Sequence, residues 1–428
     1  MPRASTRTRP VREKRAFRRF FADLGPGLIT GAADDDPSGI STYSVAGAAF
    51  GFLPLWTALF SVPLMTAVQL MCARLGLVTG YGLAGVIRRR YPAWVLWGSC
   101  ALLIAANTIN IAADLAGMAD ATRMVTGVPA ALCVVGYAGA MVSVLFWSSY
   151  RAIARYFKWL TLVLVAYVAT AFVNHVDWRA ALTATLVPHV QWSRTFFSVL
   201  VAILGTTISP YLFFWQAAEE VEEERAMGRN LHARRGATPD ELASARTDVM
   251  AGMFASQAIM YFIVLTTAAT LHAHGRTTIS TAQEAADALR PLAGPAAYWL
   301  FTLGLIGTGM IGVPVLAGSC AYAIAEARAW RGSLNQKPRR ARKFYTVIAV
   351  AMSIGIALDF LGFNSIKLLF MSAVINGVLA PPLILVVLLL TRDARVMREA
   401  VNPPLLSALG WITFVVMTVA AVGLFVAS

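Results

Sequence analysis

GAADDDPSGIST, residues 31–42, sets three consecutive carboxylates, a proline and a glycine inside a run that otherwise has the composition of a membrane helix. Pro37 has no amide hydrogen and Gly39 opens backbone conformations closed to other residues, so the helical ladder is expected to fail around Asp36. Backbone left unpaired at membrane depth is tolerated only where it lines a cavity or packs in protein. A carboxylate at that depth is costly enough to imply a function. Successive residues on a helix point about 100° apart, so the three aspartates cannot all face one ligand. Asp36, directly before the proline, is the first candidate. Asp34 and Asp35 line the same cavity, pair with a neighbour or cap the inner half-helix.

Outward from that stretch, composition places the chain in a membrane. Of its residues 58% are hydrophobic and 14% charged, and several runs reach the ~20 apolar residues that span a bilayer. That excludes a single large soluble core. The first apolar run follows the basic arm RASTRTRPVREKRAFRRF (3–20) and leads to many others, so it reads as a retained helix rather than a cleaved signal. The net charge of +14 does not point to nucleic acid, because Lys and Arg fall in alternate loops. Cys72, Cys100, Cys133 and Cys320 lie in apolar stretches and read as small buried residues, not disulfides or metal ligands.

Eleven spans are predicted, over 25–48, 53–79, 93–121, 129–148, 156–174, 195–220, 248–271, 295–327, 344–361, 364–391 and 405–427. A cytoplasmic amino terminus places RRRYP (88–92), YRAIARYFK (150–158), RAWRGSLNQKPRRARK (328–343) and TRDARVMRE (391–399) on one side, the positive-inside pattern of a multi-pass cell-membrane protein. An odd count leaves the carboxyl terminus outside. The polar connection over 219–249 falls on the cytoplasmic side and reads as a solvated helix extension and turn.

The sixth span repeats the theme of the first: SVLVAILGTTISPYLFFWQAAEE (198–220) carries Gly205, Thr206, Thr207, Ser209 and Pro210 at its centre. Two broken helices five spans apart are what an inverted-repeat transporter shows, with its substrate held between the breaks. Asp36, freed carbonyls and the hydroxyls of Thr206, Thr207 and Ser209 form an all-oxygen set. Hard divalent ions take such ligands, and no Cys, Met or His stands in either break. This favours Mg²⁺, with Mn²⁺ second. Asn107, Asn110 and Asp114 recur at spacings of three and four and share a helix face. They either hydrogen-bond between helices or line the permeation path, and Gln257 and Asn376 are packing contacts or ligands. No H-E-x-x-H or comparable catalytic set is present, which argues against an enzyme.

These segments resemble the Nramp family of divalent-metal transporters. GPGLITGAADDDPSG (25–39) resembles its first helix with the Asp-Pro-Gly-Asn motif, and LMCARLGLVTG (70–80) the end of its second. GTTISPY (205–211) stands where the family has Ala-x-x-Met-Pro-His. The resemblance implies an all-α membrane fold of the LeuT type: two inverted five-helix repeats, over 23–180 and 190–391, and an extra helix over 400–428, after an arm at 1–22. The motif Asp falls on Asp36, its Asn on Gly39, its Ala on Thr206, its Met on Ser209 and its His on Tyr211. In transition-metal members the Met sulfur is understood to favour soft ions over Mg²⁺. Its loss is similar to the Nramp-related magnesium transporters, a branch taken to move Mg²⁺ and Mn²⁺ without protons. Tyr211 fits, since Tyr does not titrate near neutral pH. The implied substrate is the ion itself, with no cofactor, the lipid bilayer as surroundings, no nucleic acid, and an oligomeric state left open with a monomer included. A proton-coupled Mn²⁺/Fe²⁺ symporter, an amino-acid transporter and a metal sensor are the alternatives.

Overall fold

Proline and glycine cut the chain where their backbone chemistry demands it. In the computed structural model, which describes residues 25–147, 162–174, 176–229, 236–330 and 332–427, α1 (Pro26–Asp34) ends as Asp35 leaves helical geometry. Asp36 is extended, with φ −68° and ψ 172°, and caps α2 (Pro37–Phe50). The second break is built the same way. α9 (Arg194–Thr207) stops at Ile208, Ser209 is extended, and α10 (Pro210–Ala226) restarts on a proline whose missing amide costs nothing at a helix start.

The other helices, numbered in chain order without those shorter than six residues, are α3 (Leu55–Thr79), α4 (Leu83–Arg90), α5 (Ala93–Thr126), α6 (Ala130–Trp147), α7 (Val165–Val173) and α8 (Trp178–Leu186). After the second break come α11 (Pro239–Thr270), α12 (Ala297–Ala327), α13 (Arg342–Asp359), α14 (Ser365–Arg392) and α15 (Pro404–Val426). Every regular element among the described residues is helical. Seven helical stretches there are long and apolar enough to cross a membrane. The halves α1 and α2 do not qualify singly, because the break divides one span. The basic arm at 1–22, the cationic segment 150–158 and parts of the fifth predicted span and of the 219–249 connection lie outside the described residues.

Position follows burial. The α9–α10 stretch has 94% of its apolar window buried inside the protein, whereas α15 has 33%, so the second broken pair is central and α15 peripheral. Leu405, Val419 and Phe425 of α15 are exposed, as suits a helix whose solvent is lipid. Small residues let backbones touch. A Cβ on Gly31 would fall 2.3 Å from the Gly252 carbonyl oxygen, which fixes α1 on α11; one on Gly205 would fall 2.1 Å from that of Ala373, which fixes α9 on α14.

One expectation is overturned here. The described part of 219–249 does not begin as a solvated extension, because Glu219, Glu220, Glu222 and Glu224 on α10 are all buried. Packing between α3 and α12 covers them, and donors come both from α10 and the residues just after it and from α12 and the segment that follows it: Gln216 to Glu220 at 2.9 Å, Arg225 to Glu222, Arg229 to Glu224 at 3.2 Å, the Tyr322 hydroxyl to Glu219 at 3.4 Å, and Ser333 to Glu222.

Candidate metal site

The two breaks meet at Gly39. A Cβ there would stand 3.2 Å from the Asp34 carbonyl oxygen, 3.2 Å from Thr206 Oγ1 and 3.4 Å from the Tyr43 ring. The missing side chain at 39 therefore leaves no wide hole; Thr206 from the second break fills the space. Gly39 itself gives its amide hydrogen to Asp36 Oδ1 at 2.8 Å. On Oδ2 the carboxylate also accepts from Asn110 Nδ2 at 3.0 Å and from the Tyr211 hydroxyl at 3.3 Å. Tyr211 further donates to the Ala33 carbonyl at 3.0 Å, which ties α10 to the open end of α1. Asp36 and Thr206 are 1% and 2% exposed, so the break is closed to both faces of the protein.

Helix polarity adds to this arrangement. α1 and α9 both end at the breaks, and helix carboxyl ends carry partial negative charge. The arrangement can hold a small hard cation between a carboxylate, backbone carbonyls and a hydroxyl. Among the described residues no cluster of three or more Asp, Glu, His and Cys is placed to hold a metal, so any ion site here needs backbone, hydroxyl or amide oxygens beside its carboxylates.

Asp34 and Asp35 face another way. Ser256 on α11 donates to Asp34 Oδ2 at 2.6 Å and lies 3.2 Å from Asp35 Oδ1, while Asp34 Oδ1 is buried without a partner. On α5, Asp114 is fully buried with neither oxygen hydrogen-bonded. Asn107 is drawn away from the break: its amide donates to the Leu316 carbonyl at 2.9 Å and to Ser319 at 2.8 Å, joining α5 to α12. Gln257 is likewise engaged with α3, accepting from Ser61 at 2.8 Å and reaching Met65 Sδ at 3.2 Å. Thr207 turns its hydroxyl back to the Ile203 carbonyl at 3.0 Å. Ser209 closes the end of α9 by donating to Gly205 and Thr206 at 2.8 and 2.7 Å. Asn376 is buried on α14, with its side-chain oxygen unpaired, beside the Gly377 contact with α9.

Sequence reasoning missed two neighbours. Ser256 is one hydroxyl in an apolar helix, 222 residues from Asp34. The Met118 sulfur lies near the first break: one point, the absent Cβ of Gly309, is 2.3 Å from it and 3.2 Å from Pro37 Cγ. Its position one turn beyond Asp114 was the only available signal.

A sequence model described as natural resistance-associated macrophage protein-like, the Nramp family, matches residues 27–427. The chain belongs to the Nramp family. As an Nramp protein it is a membrane transporter and not an enzyme. Its relatives include the divalent metal cation transporters MntH of Caldanaerobacter subterraneus, 23% identical with 92% of this chain and 90% of that one covered, and of Xanthomonas campestris, 26% identical with 93% and 89% covered. The manganese transporter of Eremococcus coleocola shares the fold at TM-score 0.73 and 20% identity, over 95% of this chain and 86% of that one. A nucleobase-cation-symport-1 family transporter in a closed conformation superposes at TM-score 0.55 and 14% identity, over 94% and 93%. This Nramp chain thus has the inverted-repeat transporter architecture expected from its two breaks.

Proposed function

We propose that this Nramp chain carries a hard divalent cation, Mg²⁺ first and Mn²⁺ second, by alternating access and without moving protons. The observation that supports it is the meeting of the two breaks around Asp36. The carboxylate is oriented by Gly39, Asn110 and Tyr211, and the Asp34 carbonyl oxygen and Thr206 Oγ1 both lie 3.2 Å from the absent Cβ of Gly39, whose amide binds Asp36. Mg²⁺ binds through one or two carboxylates and keeps several waters, so a site with few protein ligands suits it. Tyr211 donates to Asp36 where a titrating imidazole would couple the ion to protons.

In this proposal eleven spans cross the membrane with the amino terminus inside, residues 23–180 and 190–391 are the two inverted halves, and 400–428 adds a helix. The arginine-rich loops then face the cytoplasm. An inside-negative potential of 100 mV pulls a divalent ion inward with about 4.6 kcal/mol, ~2.3 for each charge.

The test is flux into liposomes holding a pH-sensitive dye. Mg²⁺ and Mn²⁺ should both enter without acidification, and Asp36→Asn should carry neither. Wild-type flux by Asp36→Asn would show the site to be wrong. A second reading, proton-coupled Mn²⁺ symport, is favoured by the MntH relatives, and acidification during Mn²⁺ uptake would select it.

A further inference from the structure

α5 turns more oxygen toward the break than this site uses. Both oxygens of Asp114 are buried and lack hydrogen-bond partners among the described residues. The Ser38 amide at the start of α2 lies toward Asp114 without reaching hydrogen-bond geometry. One turn earlier Asn110 spends its amide hydrogen on Asp36, which leaves its own Oδ1 buried and unpaired. Residues four apart share a helix face, so these three unpaired oxygens belong to one side of α5. That side faces Asp36 across Gly312 of α12. A Cβ at 312 would stand 3.0 Å from Asp36 Cβ, 3.9 Å from the Ala33 carbonyl oxygen and 3.9 Å from Asp114 Oδ2. Only a glycine leaves that point free, and it lies within 4 Å of both aspartates.

A buried acceptor without a donor costs about 1–3 kcal/mol, and more when charged. Oxygen acceptors gathered in one place, with only the Ser38 amide turned toward them, are completed by a cation. We propose that Asp114 is a direct ligand of the transported ion, opposite Asp36, with the Asn110 side-chain oxygen beside it. This rests on the Asp36 site proposed above. Charge supplies the reason for a second carboxylate: a divalent ion facing Asp36 alone would carry one net positive charge into a low-dielectric interior, which is heavily penalised. Asp36 and Asp114 together neutralise it and let the break close over it. The ion then joins the wall formed by α5 and α12 to the broken helix, so that occupancy and closure are one event.

The test replaces a hard donor with a soft one. Thiolate selects soft metals, so purified Asp114→Cys titrated with Cd²⁺ should develop a cadmium–thiolate ultraviolet band that saturates at one ion per chain, above the background of wild-type protein with its four buried cysteines. Asp114→Asn should weaken Mg²⁺ binding by about 100-fold or more, beyond the ~10–100-fold typical of a residue that only orients a ligand. Asp114→Glu should keep measurable binding. If Asp114→Cys binds Cd²⁺ without a thiolate band while Asp36→Asn abolishes binding, Asp114 is not a ligand and the Asp36 site stands. Unaltered binding by Asp36→Asn removes the Asp36 site itself and, with it, this proposal. Should the Cys variant fail to fold, equal Mg²⁺ affinity of the wild-type, Asn and Glu proteins overturns the proposal, and loss in Asn with retention in Glu supports it.

Discussion

Asp248 clasps α1 by its first turn, and removing it should free that half-helix. Its Oδ2 accepts from the Gly27 amide at 2.6 Å. The clasp is tight: a Cβ on Gly25 would fall 2.3 Å from Asp248 Oδ2, and one on Gly27 would fall 2.6 Å from the Val249 nitrogen. Losing an acceptor for the first amides of a helix costs about 0.5–2 kcal/mol. Losing a carboxylate at the positive end of a helix costs about 0.3–1 kcal/mol more. Asp248→Ala should therefore shift α1 toward an undocked state by roughly 1–3 kcal/mol, about 5–150-fold in population. Asp248→Asn keeps an acceptor and loses only the charge, so it should shift the balance by ~2–5-fold. Hydrogen exchange of the α1 amides, followed by mass spectrometry in lipid nanodiscs, reads both ratios. Further along α1, Thr30 donates to Gln216 at 2.6 Å and Gln216 to Glu220. Glu220 and Asp248 both line a cavity of about 300 Å³ at that end of the protein. Undocking α1 would expose this polar seam of Thr30, Gln216 and Glu220 beside the cavity. Exchange in Asp248→Ala as slow as in the wild type would refute the clasp, and equal acceleration in both variants would refute the charge contribution.

Three further perturbations separate packing from chemistry. Gly205→Ala drives a methyl into the α14 backbone and should cost about 1–3 kcal/mol by overpacking; an unchanged melting temperature would contradict the close crossing of α9 and α14. Met118→Leu conserves volume and should cost under ~1.5 kcal/mol while leaving the Mg²⁺ to Mn²⁺ flux ratio unaltered. A ratio that rises on removal of the sulfur would show that Met118 reaches the ion. Ser256→Ala takes a donor from two buried carboxylates and should lower stability by about 1.5–3 kcal/mol with ion affinity within about threefold of wild type, a margin of under ~1 kcal/mol. Isothermal titration together with thermal melting tests the pair, and lost affinity at full stability would place Asp34 and Asp35 on the ion.

Both breaks were legible in the sequence because a proline there follows a polar residue and stands close to glycine, as Asp36-Pro37 and Ser209-Pro210 do. Proline alone does not decide it, since Pro63, Pro314, Pro381 and Pro382 lie inside unbroken helices. Asp36 stood out as the carboxylate directly before the proline, whereas its cap on the restarted helix appears only in the structure. Directions across helices were not. Asn107 and Asn110 share a face of α5, yet one reaches α12 and the other Asp36, and only the crossing of α5 with α12 separates them. The acidic run at 219–224 read as solvated because charge usually is. Its burial depends on Gln216, Tyr322 and Ser333, which come from α10, α12 and the segment after α12. Ser256 carries no local signal at all, since a single hydroxyl in an apolar helix satisfies itself on its own backbone as readily as on a partner.

Three adjacent carboxylates at membrane depth are tolerable because the break sends them to different neighbours. Asp34 and Asp35 turn to Ser256 on α11, the helix that also holds α1 through Asp248 and the Gly31–Gly252 contact. Those bonds fasten α1 to α11 along its whole length. Asp36 turns to Asn110 and Tyr211 on the other side, where the unpaired oxygens of α5 collect. A regular helix through residues 34–36 would spread the aspartates by a fixed ~100° each; the extended backbone at Asp36 lifts that constraint and lets it cap α2 while its neighbours face α11. The proline thus does more than free carbonyls for an ion. It divides one acidic run into a fastening for the half-helix and the carboxylate proposed to hold the ion, and the two can be altered separately.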